Sequence, residues 1–395
     1  MKSKSPLQPQ PSLTLTWDQV NAWRLSQHCL TSRLEASAFV DAVSRVVGIQ
    51  AQLMSAAELA LWARVDGLSP QAISTALWQD RTLIKTWAMR GTLHLIAAHE
   101  LPLYVAARNF YDNRNWPGYF AYYGMNPEQY EALLAAIPEV LGSEPITRQA
   151  LAAAIANHTG HPGWVDLILG SSWGSPLKPS AFRGDLCFGP SQGQNVTFVN
   201  PRKWINGGGQ PALDPEQAIQ EIVRRYLRAY GPSTPLDFTR WWWGGAGLVQ
   251  AKQIFKALES ELTPVDVEGL PGVALTSTIE PMQNLTPSGS IHLLPLFDAY
   301  TLGLGRDSDI EPLLPAAYKK RVYRPQGWIT AVVLFNGYIQ GVWDYKTKGS
   351  RTTVKVELFN TPSTTDLKQL KPGIEAEAER LAAFLNTQVS VEYVS

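Results

Sequence analysis

Apolar residues recur at close to helical spacing over the first 80 positions, and shorter alternating runs follow. Phe39, Val40, Val43, Val46 and Val47 share one side of a helix starting near Ala36, which Gly48 interrupts. A helix at 17–30 precedes it, with Thr16 as N-cap. Helices at 53–65 and from Pro70 to about Trp78 follow, the latter opened by Ser69-Pro70 after an Asp66-Gly67 turn. Residues 82–87 and 92–96 then read as two short strands about Arg90-Gly91.

Helices followed by a hairpin are the plan of a winged helix, and that plan recurs. Helices at 127–141, at 147–157 and from about Gly163 lead to a hairpin with strands near 186–188 and 196–199. A helix over 214–229, a second capped by Ser233 or Thr234 and a third at 248–258 lead to a strand–turn–strand segment. From Ser290 the texture changes. IHLLPLFDAYTLGLG, WITAVVLFNGYIQGVW and TTVKVELF are strand-like, with Asn336-Gly337 a hairpin turn. A helix at 375–384 and a last strand, VSVEYV, close the chain. The expected fold class is α+β: a disordered arm (1–15), three tandem winged-helix modules (16–124, 125–208, 209–288) and a C-terminal β-rich domain (289–395).

Composition narrows the function. The 395 residues are 45% apolar, enough for two to four domains with real cores. Lys+Arg and Asp+Glu are both 34, which argues against a binder working by net charge alone, though a local basic groove remains open. Lys319, Lys320, Arg321 and Arg324, then Lys346, Lys348 and Arg351, are such local clusters. The two cysteines, Cys29 and Cys187, form neither a four-ligand metal site nor a disulfide framework. No apolar run approaches the roughly 20 residues of a membrane span, and the polar, Pro-rich N-terminus has no signal-peptide core. A cytoplasmic, nucleoid-associated monomer is expected.

The chain carries no phosphate-binding GxxxxGK[ST] loop, HExxH motif or Cys/His cluster. His158 and His161 form only a lone HxxH in a loop, so no metal or cofactor is expected. His94 reads as a satisfied, partly buried histidine. The odd feature is Gln50-Ala51-Gln52, two amides in an apolar run. Residues i and i+2 diverge on a helix but share a side of an extended segment. Either one glutamine is exposed and the other is a buried amide with partners, or the helix breaks near Gly48 and both enter one cavity. A glutamine cannot serve as a general base, but it can orient a water.

GIQAQLMSAAELALWAR, LWQDRTLIKTWAMRGTLHLI and LLPLFDAYTLG together resemble the AlkZ-like (AlkZ/YcaQ) family of bacterial DNA glycosylases, from about Val20 to beyond Trp343. That resemblance implies tandem winged helices plus a C-terminal β domain. It also implies a catalytic Gln-x-Gln motif at Gln50 and Gln52, with the small Ala51 between them. The family excises alkylated purines such as N7-alkylguanine, and some members unhook interstrand crosslinks, so the implied partner is double-stranded DNA carrying such lesions. A cationic base leaves without protonation, so a positioned water at C1′ suffices and a monofunctional enzyme is expected. Lys85 is the nearest lysine for a lyase alternative. Arg90 and Thr92 at the first wing, and Lys346, Lys348 and Arg351 on a basic hairpin at 343–356, are the expected DNA contacts. Two other readings remain. One is a non-catalytic winged-helix regulator, which would have no need of two amides in a cleft. The other is a protein-binding scaffold anchored on Trp116 and Trp241, Trp242 and Trp243.

Overall fold

Seven of the described α-helices begin where a side chain satisfies a free backbone donor of the first turn. In the computed structural model, which describes residues 13–110, 122, 124–171, 174–206, 213–304, 312–359 and 367–394, the first helix is Trp17–Gln27. Thr16 and Gln19 close a reciprocal capping box at its start. Ahead of it, β1 (Thr14–Leu15) pairs with a later strand, and Leu15 is fully buried. The expected arm at 1–15 therefore ends sooner: burial of Leu15 holds this segment in the fold, and residues 1–12 lie outside those described. β2 (Leu34–Glu35) leads through a 3-10 turn to the helix Phe39–Arg45. Then come β3 (Ile49–Gln50), the helix Met54–Trp62, and β4 (Val65–Asp66), which pairs in parallel with β2. Ser69 caps the helix Pro70–Trp78, and β5 (Leu83–Trp87) and β6 (Leu93–Ala97) form the expected first hairpin.

The second stretch holds helices Pro127–Val140, Arg148–Thr159 and Gly163–Gly170, capped in the first two cases by Asn126 and Thr147. It also holds β7 (Ile146–Thr147), β8 (Cys187–Gln192) and β9 (Asn195–Val199). The third has helices Pro215–Tyr230, Pro235–Trp243 and Leu248–Ala257, then β10 (Leu262–Val267) and β11 (Leu270–Leu275). The last has β12 (Ile291–Leu294), β13 (Val332–Phe335), β14 (Tyr338–Lys348), β15 (Arg351–Leu358), the helix Leu367–Leu385 and β16 (Gln388–Val394). The strand-like reading of 291–305 is half right. After β12 the chain turns into the helix Ala299–Leu304, because Asp298 Oδ1 accepts from Tyr300 N–H at 2.8 Å and its carbonyl from Leu302 N–H. The fold is mixed α+β.

The strands gather across the chain. One sheet has the order β3-β6-β5-β8-β9-β7, so the first and second hairpins are joined, through Lys85 opposite Phe188. A second is β12-β13-β14-β15-β16, with β16 parallel to β15. β1, β10 and β11 form a third. The joined sheet separates two cores. Ile49, Leu83 and Leu95 face a core shared with the C-terminal strands, and Ile84 and Ile96 face one shared with the third set of helices. The hairpin turn at Asn336-Gly337 abuts the first helix. A Cβ on Gly337, whose φ is +87°, would lie 2.5 Å from Asn21 Cβ.

Trp241 and Trp242 are buried among Tyr226, Tyr230 and Phe238, with the Tyr226 and Trp241 rings 4.9 Å apart. Burial removes them as interface anchors, and Trp116 lies outside the described residues. Among the described residues, no helix is long and apolar enough to cross a membrane.

Three buried histidines make the fold acid-sensitive. Burial first, and then Arg90, pushes His94 down to about 3. Burial and the cations Arg33, Arg64 and Arg380 do the same to His292. Burial and Arg64 push His28 down as well. Each is neutral in the fold but takes a proton near 6.5 once unfolded. Such a group stabilises the fold above its unfolded pKa, and that contribution drains away as pH falls toward the folded value. For His94 and His292 together the loss between pH 7 and pH 5 is about 4 kcal/mol. Urea unfolding at the two pH values should show it, and equal stability at both would contradict it. His292, whose two ring nitrogens have no hydrogen-bond partner, can be tested alone: His292→Leu should remove about 2 kcal/mol of the pH dependence.

Candidate active site

A helix stop delivers the two glutamines. After Arg45, Val47 N–H bonds back to the Ser44 carbonyl at 3.1 Å and Gly48 N–H to the Val43 carbonyl at 2.9 Å. This is the pattern of a left-handed helix terminus. Val47 has φ +57°, a conformation that a β-branched residue adopts at a cost of about 1–3 kcal/mol. Gly48 follows at φ +91°, where a Cβ would lie 2.9 Å from Met89 Cε. The chain then runs extended. Ile49 pairs with Leu95, Gln50 with His94, and Ala51 N–H donates to the Leu93 carbonyl at 2.7 Å. The helix therefore breaks near Gly48, as the second sequence-based alternative required, and the extended path turns residues 50 and 52 to one side.

Both amides are then held from the β5–β6 hairpin. Gln50, 8% exposed, accepts at Oε1 from Arg90 Nη2 at 3.1 Å. Gln52, less buried, accepts at Oε1 from Leu93 N–H at 3.4 Å. Arg90 lies in the hairpin turn with φ +55°. Its Nη1 donates to the Trp241 carbonyl, and Nη2 also meets His94 Nε2 at 3.3 Å. His94 Nδ1 donates to the Thr92 carbonyl at 3.0 Å, which leaves Nε2 as the acceptor. Tyr230 OH, from the third set of helices, donates to the Val46 carbonyl at 2.6 Å. Burial lowers Arg90 to about 10, so it stays charged at neutral pH.

The register assigns the other candidates to faces. Gln50, His94 and Thr86 stand opposite one another and share a face, whereas Ile49, Leu95, Lys85 and Phe188 share the other. Lys85 therefore projects away from the glutamines, with Nζ 5.8 Å from the Phe188 ring centre. Burial lowers its pKa and Glu58 opposes that. Burial raises the pKa of Tyr345 on β14, and Glu58 adds to the rise. At the tip of the β14–β15 hairpin Lys346, Lys348 and Arg351 are all exposed, and Lys348 stands directly opposite Arg351.

The structure thus brings Gln50, Gln52, Arg90 and Thr92 into one cluster and places the three hairpin cations elsewhere. Arg90, expected as a DNA contact, has both terminal nitrogens bonded to partners inside the fold. The cause is the Trp241 carbonyl, supplied from 151 residues away, which draws the guanidinium inward. Thr92 is a turn residue whose Oγ1 donates to the Met89 carbonyl. His94, expected to be satisfied and partly buried, has partners at both ring nitrogens and belongs to the cluster. The one local signal for that was its position four residues after Arg90. Among the described residues, no three His, Cys, Asp or Glu side chains gather as metal ligands.

Comparison with known proteins bears on this arrangement. A family model described as DNA glycosylase AlkZ-like matches residues 43–384. The chain is 33% identical over 370 residues to the interstrand DNA cross-link repair glycosylase of Streptomyces sahachiroi, covering 93% of this chain and 96% of the relative. The solved structure of the Streptomyces sahachiroi DNA glycosylase AlkZ matches with a TM-score of 0.86 at 31% identity, over 97% of this chain and 100% of that one.

Proposed function

The chain belongs to the AlkZ-like DNA glycosylase family, and on that premise we propose that it hydrolyses the N-glycosidic bond of alkylated purines of the N7-alkylguanine type in duplex DNA. In this reading it also unhooks interstrand crosslinks, as the name of its Streptomyces relative suggests. The three helix-plus-hairpin units are winged helices and the last sheet is a β domain. The observation that carries the reading is the pair of amide side chains on one extended segment, each with its carbonyl held by a group that can only donate.

In this mechanism Gln50 and Gln52 orient the water that attacks C1′: an amide NH2 donates to one of its lone pairs, the other forms the C1′–O bond as the C1′–N bond breaks, and the released proton passes to solvent. An N7-alkylated guanine is cationic and departs as a neutral base, so no acid is needed at the leaving group. The neutral His94 beside Gln50 fits that requirement. Holding water and sugar in place supplies much of the barrier reduction. The enzyme is monofunctional: Lys85, the lysine considered for a Schiff base, projects from the opposite face of the sheet.

Lys346, Lys348 and Arg351 contact the DNA backbone, and the hairpin carrying them probes the minor groove. Two like charges directly across a strand pair repel unless an anion lies between them, which favours a phosphate at the Lys348–Arg351 tip. Changing all three to alanine should weaken duplex binding and lower the slope of log K against log salt by about 3. An unchanged slope would remove the hairpin from the interface.

The test of the function is a duplex oligonucleotide with a single N7-methylguanine, treated with alkali after incubation. Strand scission at the lesion is the expected result. An intact strand here, with bulkier N7 adducts and crosslinks also untouched, would overturn the glycosylase reading in favour of a non-catalytic DNA-binding protein.

A further inference from the structure

The charged group bonded to Gln50 is Arg90, and its surroundings are unlike those of a DNA-binding arginine. It occupies the turn of the β5–β6 hairpin, where Ala88 N–H bonds to the Thr92 carbonyl and Gly91 N–H to the Ala88 carbonyl. A positive φ at a non-glycine residue is held only where the surroundings over-determine it. Here three groups do so: the Trp241 carbonyl, His94 Nε2 and Gln50 Oε1. They come from three parts of the chain and all accept from one guanidinium.

The donor and acceptor assignment carries the argument. The two ends of a glutamine amide look alike, and their orientation is normally settled only by the neighbours. A guanidinium has donors and no acceptor, so the end of Gln50 facing Arg90 is its oxygen. The same holds for Gln52, because Leu93 offers a backbone N–H. Among the described residues, neither Nε2 has a hydrogen-bond partner in the protein. The motif therefore presents two NH2 groups with their carbonyls turned inward. His94 reinforces this: with Nδ1 donating to the Thr92 carbonyl, Nε2 can only accept.

We infer that Arg90 is a positioning residue for base excision: its guanidinium fixes the Gln50 amide with the oxygen inward and Nε2 toward the substrate. It does so in a framework that the third set of helices completes through the Trp241 carbonyl. This rests on the reading of Gln50 as a reacting-site residue. Arg90 does not touch substrate and adds nothing to backbone affinity. Without it the Gln50 amide is free to turn over, and a misoriented group of this kind costs about 10²-fold in rate.

The experiment is a double-mutant cycle in single-turnover excision of N7-methylguanine from duplex DNA, with duplex affinity measured over a salt series. The variants are Arg90→Met, Gln50→Ala and the double variant, with Arg90→Lys as the conservative change that keeps the charge in place. Arg90→Met should lower the single-turnover rate by about 10²-fold and leave the salt slope unchanged. In the Gln50→Ala background it should have no further effect, because the two act as one unit. Arg90→Lys should recover part of the rate, since an ammonium donates to Gln50 but cannot also span to Trp241. Multiplicative losses in the double variant would overturn the inference, as would a salt slope lowered by about 1, which marks a lost phosphate contact. If Arg90→Met does not fold, the inference stands or falls on Arg90→Lys: full activity there, or loss through affinity alone, overturns it. Gln50→Ala excising at the wild-type rate would instead defeat the reading of Gln50 as a reacting-site residue and leave the glycosylase function standing.

Discussion

Replacing either Gln50 or Gln52 by alanine is expected to lower single-turnover excision about 10²–10³-fold, the range found when one preorganised polar group is removed from a reacting centre. Duplex affinity should hardly move, because phosphate contacts carry most of it. The two losses should not multiply if both amides hold one water. Gln50→Glu is the sharper variant. It keeps the shape and strengthens the contact with Arg90, yet it removes the outward-facing donor. It should therefore fall with the alanine variant, although the fold is at least as stable. Wild-type excision by Gln50→Glu would mean that the inward oxygen, not the amide nitrogen, is what the reaction uses. Wild-type excision by both alanine variants would remove the motif from the mechanism.

The second large effect concerns stability. Asp298→Ala should destabilise the protein by about 3–5 kcal/mol, the cost of stranding a buried charge. Arg64 and Asp298 are both 0% exposed and form a bidentate pair at 2.7 and 2.8 Å. Arg64 Nη1 also donates to the Ala60 carbonyl at 2.7 Å, and Nη2 meets His28 Nδ1 at 3.3 Å. The pair ties the helix that follows Gln52 to the segment after β12. Losing it should loosen the site as well as the fold. Arg64→Met with Asp298→Leu should recover most of the stability lost by the single change, because an apolar pair leaves no charge uncompensated. Chemical unfolding of the three variants measures this. A loss under about 1 kcal/mol in Asp298→Ala would mean that water or another group already compensates Arg64.

Much of this molecule was legible in local chemistry. Thr16, Ser69, Asn126, Thr147, Asp214 and Thr234 each accept from a backbone N–H three residues on, and the helices begin beside them. The Asn336-Gly337 pair takes positive φ at both positions, the conformation a tight hairpin needs, and that too can be read from two letters. Gln50 and Gln52 stood out because two amides at spacing two do not suit an apolar helix. That conflict left two alternatives, and the structure combines parts of both: the helix breaks near Gly48, and Gln50 is a buried amide with a partner.

Where local signals were ambiguous, tertiary contacts decided. The run 291–305 is apolar enough for a strand, yet its second half is helical because Asp298 turns the chain and is itself held by Arg64. Arg90 looked like a wing-tip cation, and its hairpin was placed correctly. Its partner at the Trp241 carbonyl is one that no spacing reveals. The sheet joining the first two hairpins likewise depends on the pairing of Lys85 with Phe188 across about a hundred residues. Turns and caps follow from the sequence because their partners lie within a few residues. Register between distant strands and the partners of a buried charge do not, since they are settled by what the rest of the chain brings alongside.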